Sequence, residues 1–125
     1  MILDTNALSA IADGHAELEP HLHRAKEIAL PVIVLGEYLY GIRQSRERRR
    51  YEQWLAESIP NYRVLDVDEE TALAYATLRS ELKRGGTPIP SNDVWIAALC
   101  RQHSYPLLSR DRHFDSVRGI RRIDW

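Results

Sequence analysis

The chain has 125 residues, of which 28% are charged and 44% hydrophobic, and its formal net charge is -1. That length fits one domain spanning residues 1–125, large enough to bury about two-thirds of the surface the unfolded chain exposes. A lone cysteine, Cys100, excludes an intramolecular disulfide and a cysteine-rich zinc site, no apolar run reaches the roughly 20 residues a membrane-spanning helix needs, and the N-terminus lacks a signal-like basic leader, so a cytoplasmic setting is expected.

Met1-Ile2-Leu3 is a short apolar run ending at Asp4, the pattern of a buried strand. Thr5 or Asn6 is placed to cap a helix through Ala7–Ala12, which Gly14 ends. A weaker helical stretch covers about Glu17–Glu27. Ala29–Val34, apolar and β-branched, predicts a second strand. Helices follow over Leu35–Gln44 and Arg46–Ser58, the second with Trp54 and Leu55 on its apolar side. Tyr62–Val67 alternates as a strand exposed on one face does. Asp68 caps a long helix reaching Arg84, whose apolar positions Ala72, Leu73, Ala76, Leu78 and Leu82 recur at helical spacing, and Gly85-Gly86 stops it. After the rigid loop Thr87–Pro90, Ser91 or Asn92 caps a buried helix over Val94–Gln102. Pro106–Leu108 predicts a strand ending near Ser109–Asp111, and Ile120–Trp125 predicts the last one.

Strands alternating with helices argue for an α/β fold around a mainly parallel sheet. Ligands bind such sheets outside the carboxyl ends of the strands, and the acids fall there. Asp4 ends the first strand and Asp111 follows Leu107-Leu108. Asp93 lies in the first turn of the buried helix, and Glu37 sits inside an otherwise apolar helix. Each has a structural reading as well. Asp4 and Asp93 suit a helix N-terminus, Asp111 a polar turn, and Glu37 a solvent-facing position. Taken jointly, the four converge, repel one another and raise each other's pKa. A divalent cation resolves that repulsion. Oxygen ligands without zinc-spaced His or Cys favour Mg²⁺ or Mn²⁺, which activates water for attack on a phosphodiester.

Four short motifs then occur in order: Ile2-Leu3-Asp4-Thr5-Asn6; Glu37-Tyr38-Leu39-Tyr40-Gly41-Ile42; Asn92-Asp93 leading into Ile96-Ala97-Ala98; and Ser109-Arg110-Asp111 with His113-Phe114. Together they resemble the PIN-domain ribonucleases, most of all the VapC-type toxins of bacterial toxin–antitoxin pairs. The resemblance implies a three-layer α/β/α sandwich and Mg²⁺- or Mn²⁺-dependent endonucleolytic cleavage of RNA. It implies Asp4, Glu37 and Asp93 as the core metal-binding acids and Asp111 as the fourth, with Asp115 close enough to compete. Thr5 and Ser109 would supply orienting hydroxyls, Asn6 would brace the loop after the first strand, and Asn92 would hold the turn that places Asp93. Gly41 would allow close helix packing, which would account for a residue costing about 1 kcal/mol in a helix interior. The implied partners are an RNA substrate and a small antitoxin, with a homodimer or a hetero-oligomer as the assembly. A second reading keeps the fold without catalysis, as an RNA- or protein-binding module.

The basic residues are 15 Arg against 2 Lys. Arg46 and Arg48-Arg49-Arg50 read either as a solvated helix face with local ion pairs or as a phosphate-gripping edge. Arg110, Arg112 and His113 either touch substrate phosphate or pair with the acids; His113 has no zinc-spaced partner in the sequence. Tyr38, Tyr40, Trp54 and Leu55 read as core or, in part, as an antitoxin interface. Trp95 and Cys100 read as packing residues. Asn6 stands where an aspartyl-phosphate phosphatase needs its second Asp, which excludes that class.

Overall fold

The computed structural model describes residues 1–125. Five short strands form one parallel sheet in the order β3-β2-β1-β4-β5: β1 Ile2–Leu3, β2 Ala29–Pro31, β3 Arg63–Leu65, β4 Leu107–Leu108 and β5 Arg122–Ile123. The helices between them are α1 Thr5–Ala12, α2 Glu19–Arg24, α3 Val32–Arg43, α4 Arg48–Ser58, α5 Glu69–Arg84 and α6 Ser91–His103. The fold is a three-layer α/β/α sandwich, as the resemblance implies. Brevity suits strands that are covered on both faces. Ile2, Leu3, Ala29, Leu30, Leu107 and Leu108 are all fully buried, so each residue adds core contacts on one side or the other.

Strand order dictates where a site can form. From β1 the chain goes first to β2 and β3 on one side, and only later to β4 and β5 on the other. The crevice at the carboxyl ends of β1 and β4 is therefore the switch point of the sheet. Hydrogen bonding carries the register just past it: the Asp4 amide donates to the Leu108 carbonyl at 3.1 Å, and the Ser109 amide to the Ile123 carbonyl at 3.0 Å.

Several elements differ from expectation, each for a local reason. The strand expected over Ala29–Val34 stops at Pro31, which occupies the N-cap of α3 in extended geometry (φ -62°, ψ 140°). Val32, Ile33 and Val34 then begin a helix despite their β-branching, because burial against the core outweighs a weak propensity. The stretch Glu17–Glu27 divides into a 3₁₀ turn at Ala16–Leu18 and the short α2. Asp4, not Thr5 or Asn6, caps α1, accepting the Thr5 amide. Pro90, not Ser91 or Asn92, caps α6. Asp68 does cap α5, in a reciprocal capping box with Thr71.

The buried side of α5 was misplaced. Leu78 and Leu82 are buried with Thr71, whereas Leu73 is 71% exposed and Ala72 and Ala76 face solvent. The correct stripe starts at a threonine, whose hydroxyl sits 2.5 Å from Gln102 Oε1 of α6 and so can be buried. Gly41 does not mediate close packing within the chain, since a Cβ there would meet nothing within 4 Å.

Candidate active site

The residues gather at the β1/β4 switch point. Asp4 is buried at 5% exposure, and its carboxylate is held from three directions. It accepts from the Thr5 amide at 2.8 Å, from Ser109 Oγ at 2.6 Å and from Asn6 Nδ2 at 3.3 Å. Ser109 is buried too, and its oxygen also accepts the Asp111 amide at 3.0 Å. Asn6 spans the crevice, since its Oδ1 takes the Arg110 amide at 3.2 Å. The loops after β1 and β4 are thereby tied together by a serine and an asparagine.

Glu37 reaches the same crevice from α3. Thr5 Oγ1 donates to its Oε2 at 2.6 Å, and Asn92 Nδ2 to its Oε1 at 2.6 Å. Through this bond the Asn92 side chain links α6 to α3, one residue before Asp93. Asp93 follows in the first turn of α6, where the helix dipole favours a negative charge.

Even so, burial pushes the Asp93 carboxyl up to about 6, and the charges of Asp4 and Asp111 push the same way. Burial also raises Asp4, with Asp111 and Glu37 adding to the rise against its hydrogen bonds. No Arg or Lys pairs with any of the four acids. The one cation-capable neighbour is His113, whose Nδ1 lies 3.1 Å from Asp111 Oδ1 and 3.5 Å from Asp93 Oδ2.

For His113 the structure shows the second of the two expected roles, pairing with the acids. A 3₁₀ turn over Arg112–Ser116, begun by Asp111 accepting the His113 amide at 2.9 Å, folds the ring back onto the acids. Asp93, Asp111 and His113 can present ligand atoms within 4.8 Å of one another. Spacing alone hid this, because the second carboxylate comes from a helix 20 positions earlier.

Asp115, the competitor for the fourth position, points elsewhere. It is exposed and clasped by Arg122 at 2.7 and 3.1 Å, a pairing that holds its carboxyl below the usual range. Arg110 stacks its guanidinium 4.7 Å above the Trp125 ring, and Arg112 is exposed. On α4, which begins at Arg48 rather than at Arg46, Arg48 and Arg50 pair with Glu52 and Glu47, as a solvated face does, while Arg49 and, in the turn before the helix, Arg46 have no acidic partner. Tyr38 and Leu55 are core, Trp54 meets Tyr38 edge-on at 6.2 Å, and Tyr40 is 71% exposed. Trp95 stacks on Tyr75 at 3.9 Å, joining α6 to α5, and Cys100 is buried.

A parallel α/β/α sandwich with acids at its switch point is the PIN architecture, and the PIN domain family model matches residues 1–120: the chain belongs to that family. Within it the chain is similar to VapC proteins. Ribonuclease VapC5 of Mycobacterium tuberculosis is 29% identical over 125 residues, 98% of this chain and 91% of its own. The tRNA(fMet)-specific endonuclease VapC of Salmonella typhimurium is 32% identical over 94 residues, 74% of this chain and 71% of its own. Among solved structures, DNA-bound VapBC of Salmonella typhimurium superposes with a TM-score of 0.88 at 28% identity, covering 99% of this chain and 96% of that one.

Proposed function

We propose that the chain is a metal-dependent endoribonuclease and the toxin of a toxin–antitoxin pair. The observation that carries this reading is four carboxylates converging on one crevice with no Arg or Lys among them. An enzyme name on two similar proteins, ribonuclease and tRNA-specific endonuclease, supports the same reaction class.

The residues fit a divalent cation. The donors are carboxylate oxygens with one imidazole, and Asp93 is raised by burial first and then by the charges of Asp4 and Asp111. Asp93, Asp111, Asp4 and Glu37 would hold Mg²⁺ or Mn²⁺. When bound, the metal supplies Lewis-acid stabilisation of the charge developing on the phosphate and makes water a usable nucleophile at neutral pH. The protein's own part is positioning. Ser109, Asn6 and the Thr5 amide fix Asp4, while Thr5 Oγ1 and Asn92 fix Glu37. His113 stands at the crevice against Asp93 and Asp111, and Arg110 and Arg112 flank Asp111 in the chain, as residues that meet an arriving phosphate would. A small antitoxin is the expected partner, with exposed Tyr40 on α3 offering an aromatic anchor of the kind that dominates interfaces.

The test is cleavage of bulk RNA by the purified chain in Mg²⁺ or Mn²⁺ against EDTA, alongside an Asp93→Ala variant. Metal-dependent internal cuts, absent from the variant, are expected. Undiminished cleavage in EDTA, or by the variant, refutes the mechanism.

A further inference from the structure

Beyond the crevice, an open groove of about 860 Å³ runs between the end of α5, the second half of α6 and the loop after the 3₁₀ turn. Its charged walls are Arg84, Arg101, Arg118 and a single acid, Glu81. Glu81 is already engaged, because Arg101 grips it through two nitrogens at 3.2 and 3.4 Å. Arg101 also donates to the Arg118 carbonyl. Gly119 makes that placement feasible: its φ is +81°, and a Cβ there would lie 3.4 Å from Arg101 Nε. Arg101 is thus half-buried and fixed, whereas Arg84 and Arg118 are exposed and have no acidic partner. Ser116 and Thr87 add hydroxyl donors to the walls. The groove offers guanidinium and hydroxyl donors and no free carboxylate, which suits a phosphate chain.

Its position ties it to the acids. The turn Arg112–Ser116 begins beside Asp111 and ends in the groove wall at Ser116. Along α6, Arg101 lies about 12 Å beyond Asp93 at 1.5 Å per residue. A strand entering the crevice reaches the groove within a few nucleotides.

We propose that this groove is a second RNA-binding subsite, in which Arg84 and Arg118 hold backbone phosphates of the substrate at a distance from the cut, on a wall fixed by Arg101. The proposal rests on the ribonuclease reading. It adds an extended, sequence-independent grip that makes long, folded RNA a better substrate than a short oligonucleotide.

An internal control exists on the same molecule. Arg24 and Arg121 line another groove, of about 730 Å³, beside the amino ends of the strands, and they too are exposed and unpaired. Removing either pair of arginines changes net charge equally. The experiment measures binding of bulk transfer RNA to the Asp93→Ala chain by fluorescence anisotropy across a salt series, and cleavage of the same RNA by the chain with Asp93 intact. R84A/R118A should weaken binding about tenfold or more and flatten the log–log salt slope by about 1.4, two phosphate contacts at 0.7 each. It should raise KM for transfer RNA and leave kcat unchanged. R24A/R121A should do neither. Equal losses from both pairs, or no loss from R84A/R118A while the wild-type chain cleaves, overturn the groove and leave the ribonuclease reading intact. A wild-type chain that neither binds nor cleaves RNA overturns that reading and the groove with it.

Discussion

The two ends of the sheet treat their acids in opposite ways. At the amino end, Glu27 before β2 accepts from Tyr105 at 2.5 Å and from Arg63 at 3.3 Å. Those partners, the Tyr105 hydrogen bond foremost, hold its carboxyl below the usual range. At the carboxyl end, Asp4, Glu37, Asp93 and Asp111 have one another and a single imidazole, and burial foremost, then the charges of Asp4 and Asp111, push Asp93 up to about 6. Same sheet, same kind of residue, contrary electrostatics. A fold selected for stability alone would place an arginine in such a cluster. The hydroxyls and amides of Thr5, Asn6, Asn92 and Ser109 instead hold the acids together without an Arg or Lys, an arrangement that supports the proposed cation site.

The contrast is broken most severely at Asp93. On the proposed mechanism Asp93→Asn should cut RNA cleavage about 100-fold or more, beyond the loss typical of a residue that only supports a metal ligand. In EDTA it should also stabilise the chain. The sign follows from the direction of the shift. Asp93 takes up its proton more readily folded than unfolded, so its contribution favours folding at low pH and is lost as pH rises from about 4 through about 6. The asparagine removes a penalty of about 1–2 kcal/mol at pH 8, once solvent screening is allowed for, and Tm should rise by a few degrees. Thermal melts at pH 5 and pH 8 check this: the wild-type chain loses stability between them, and the variant loses less. A variant that melts lower than wild type at pH 8 in EDTA contradicts the electrostatic account.

Asp111 and Asp115 make the same comparison four residues apart. Asp111→Asn should slow cleavage about tenfold or more, while Asp115→Asn should stay within about twofold of wild type, as loss of a surface ion pair does. The reverse order in single-turnover rates would assign the fourth acid to Asp115. Ser109→Ala comes next. It removes the 2.6 Å donor to buried Asp4 and the acceptor of the Asp111 amide, so stability should fall by about 1–3 kcal/mol. Cleavage should fall with it, through kcat more than KM, because on the proposed mechanism Asp4 holds the metal and not the substrate.

How much of this was legible beforehand follows from what each feature depends on. Strand-end acids announced themselves, because an apolar run ending in Asp is a local pattern and switch-point chemistry follows from strand alternation. Asn6 and Ser109 were named, but their contact across the crevice depends on β1 and β4 being neighbours, which no local pattern states. Pairing of His113 with an acid is foreseeable from its place two residues after Asp111, but its approach to Asp93 depends on the turn of Asp111 and on where α6 lies. The buried stripe of α5 was misread because its first member is Thr71, a polar residue satisfied by Gln102 from another helix. Residue type predicts burial poorly wherever a distant side chain completes the hydrogen bonds.

The smallest effect is expected where the charges are already matched. Glu27→Gln removes an exposed carboxylate from Arg63 and Tyr105, far from the acids, so cleavage should be unchanged. Its pH signature should run opposite to that of Asp93. A carboxyl lowered in the folded state contributes stability above its unfolded pKa and loses it as pH falls. Glu27→Gln should therefore melt slightly below wild type at pH 7, and the two should converge as pH drops below about 4. Were Glu27→Gln instead to raise Tm at neutral pH, the amino end would share the unmet charge of the carboxyl end, and repulsion would no longer single out the crevice.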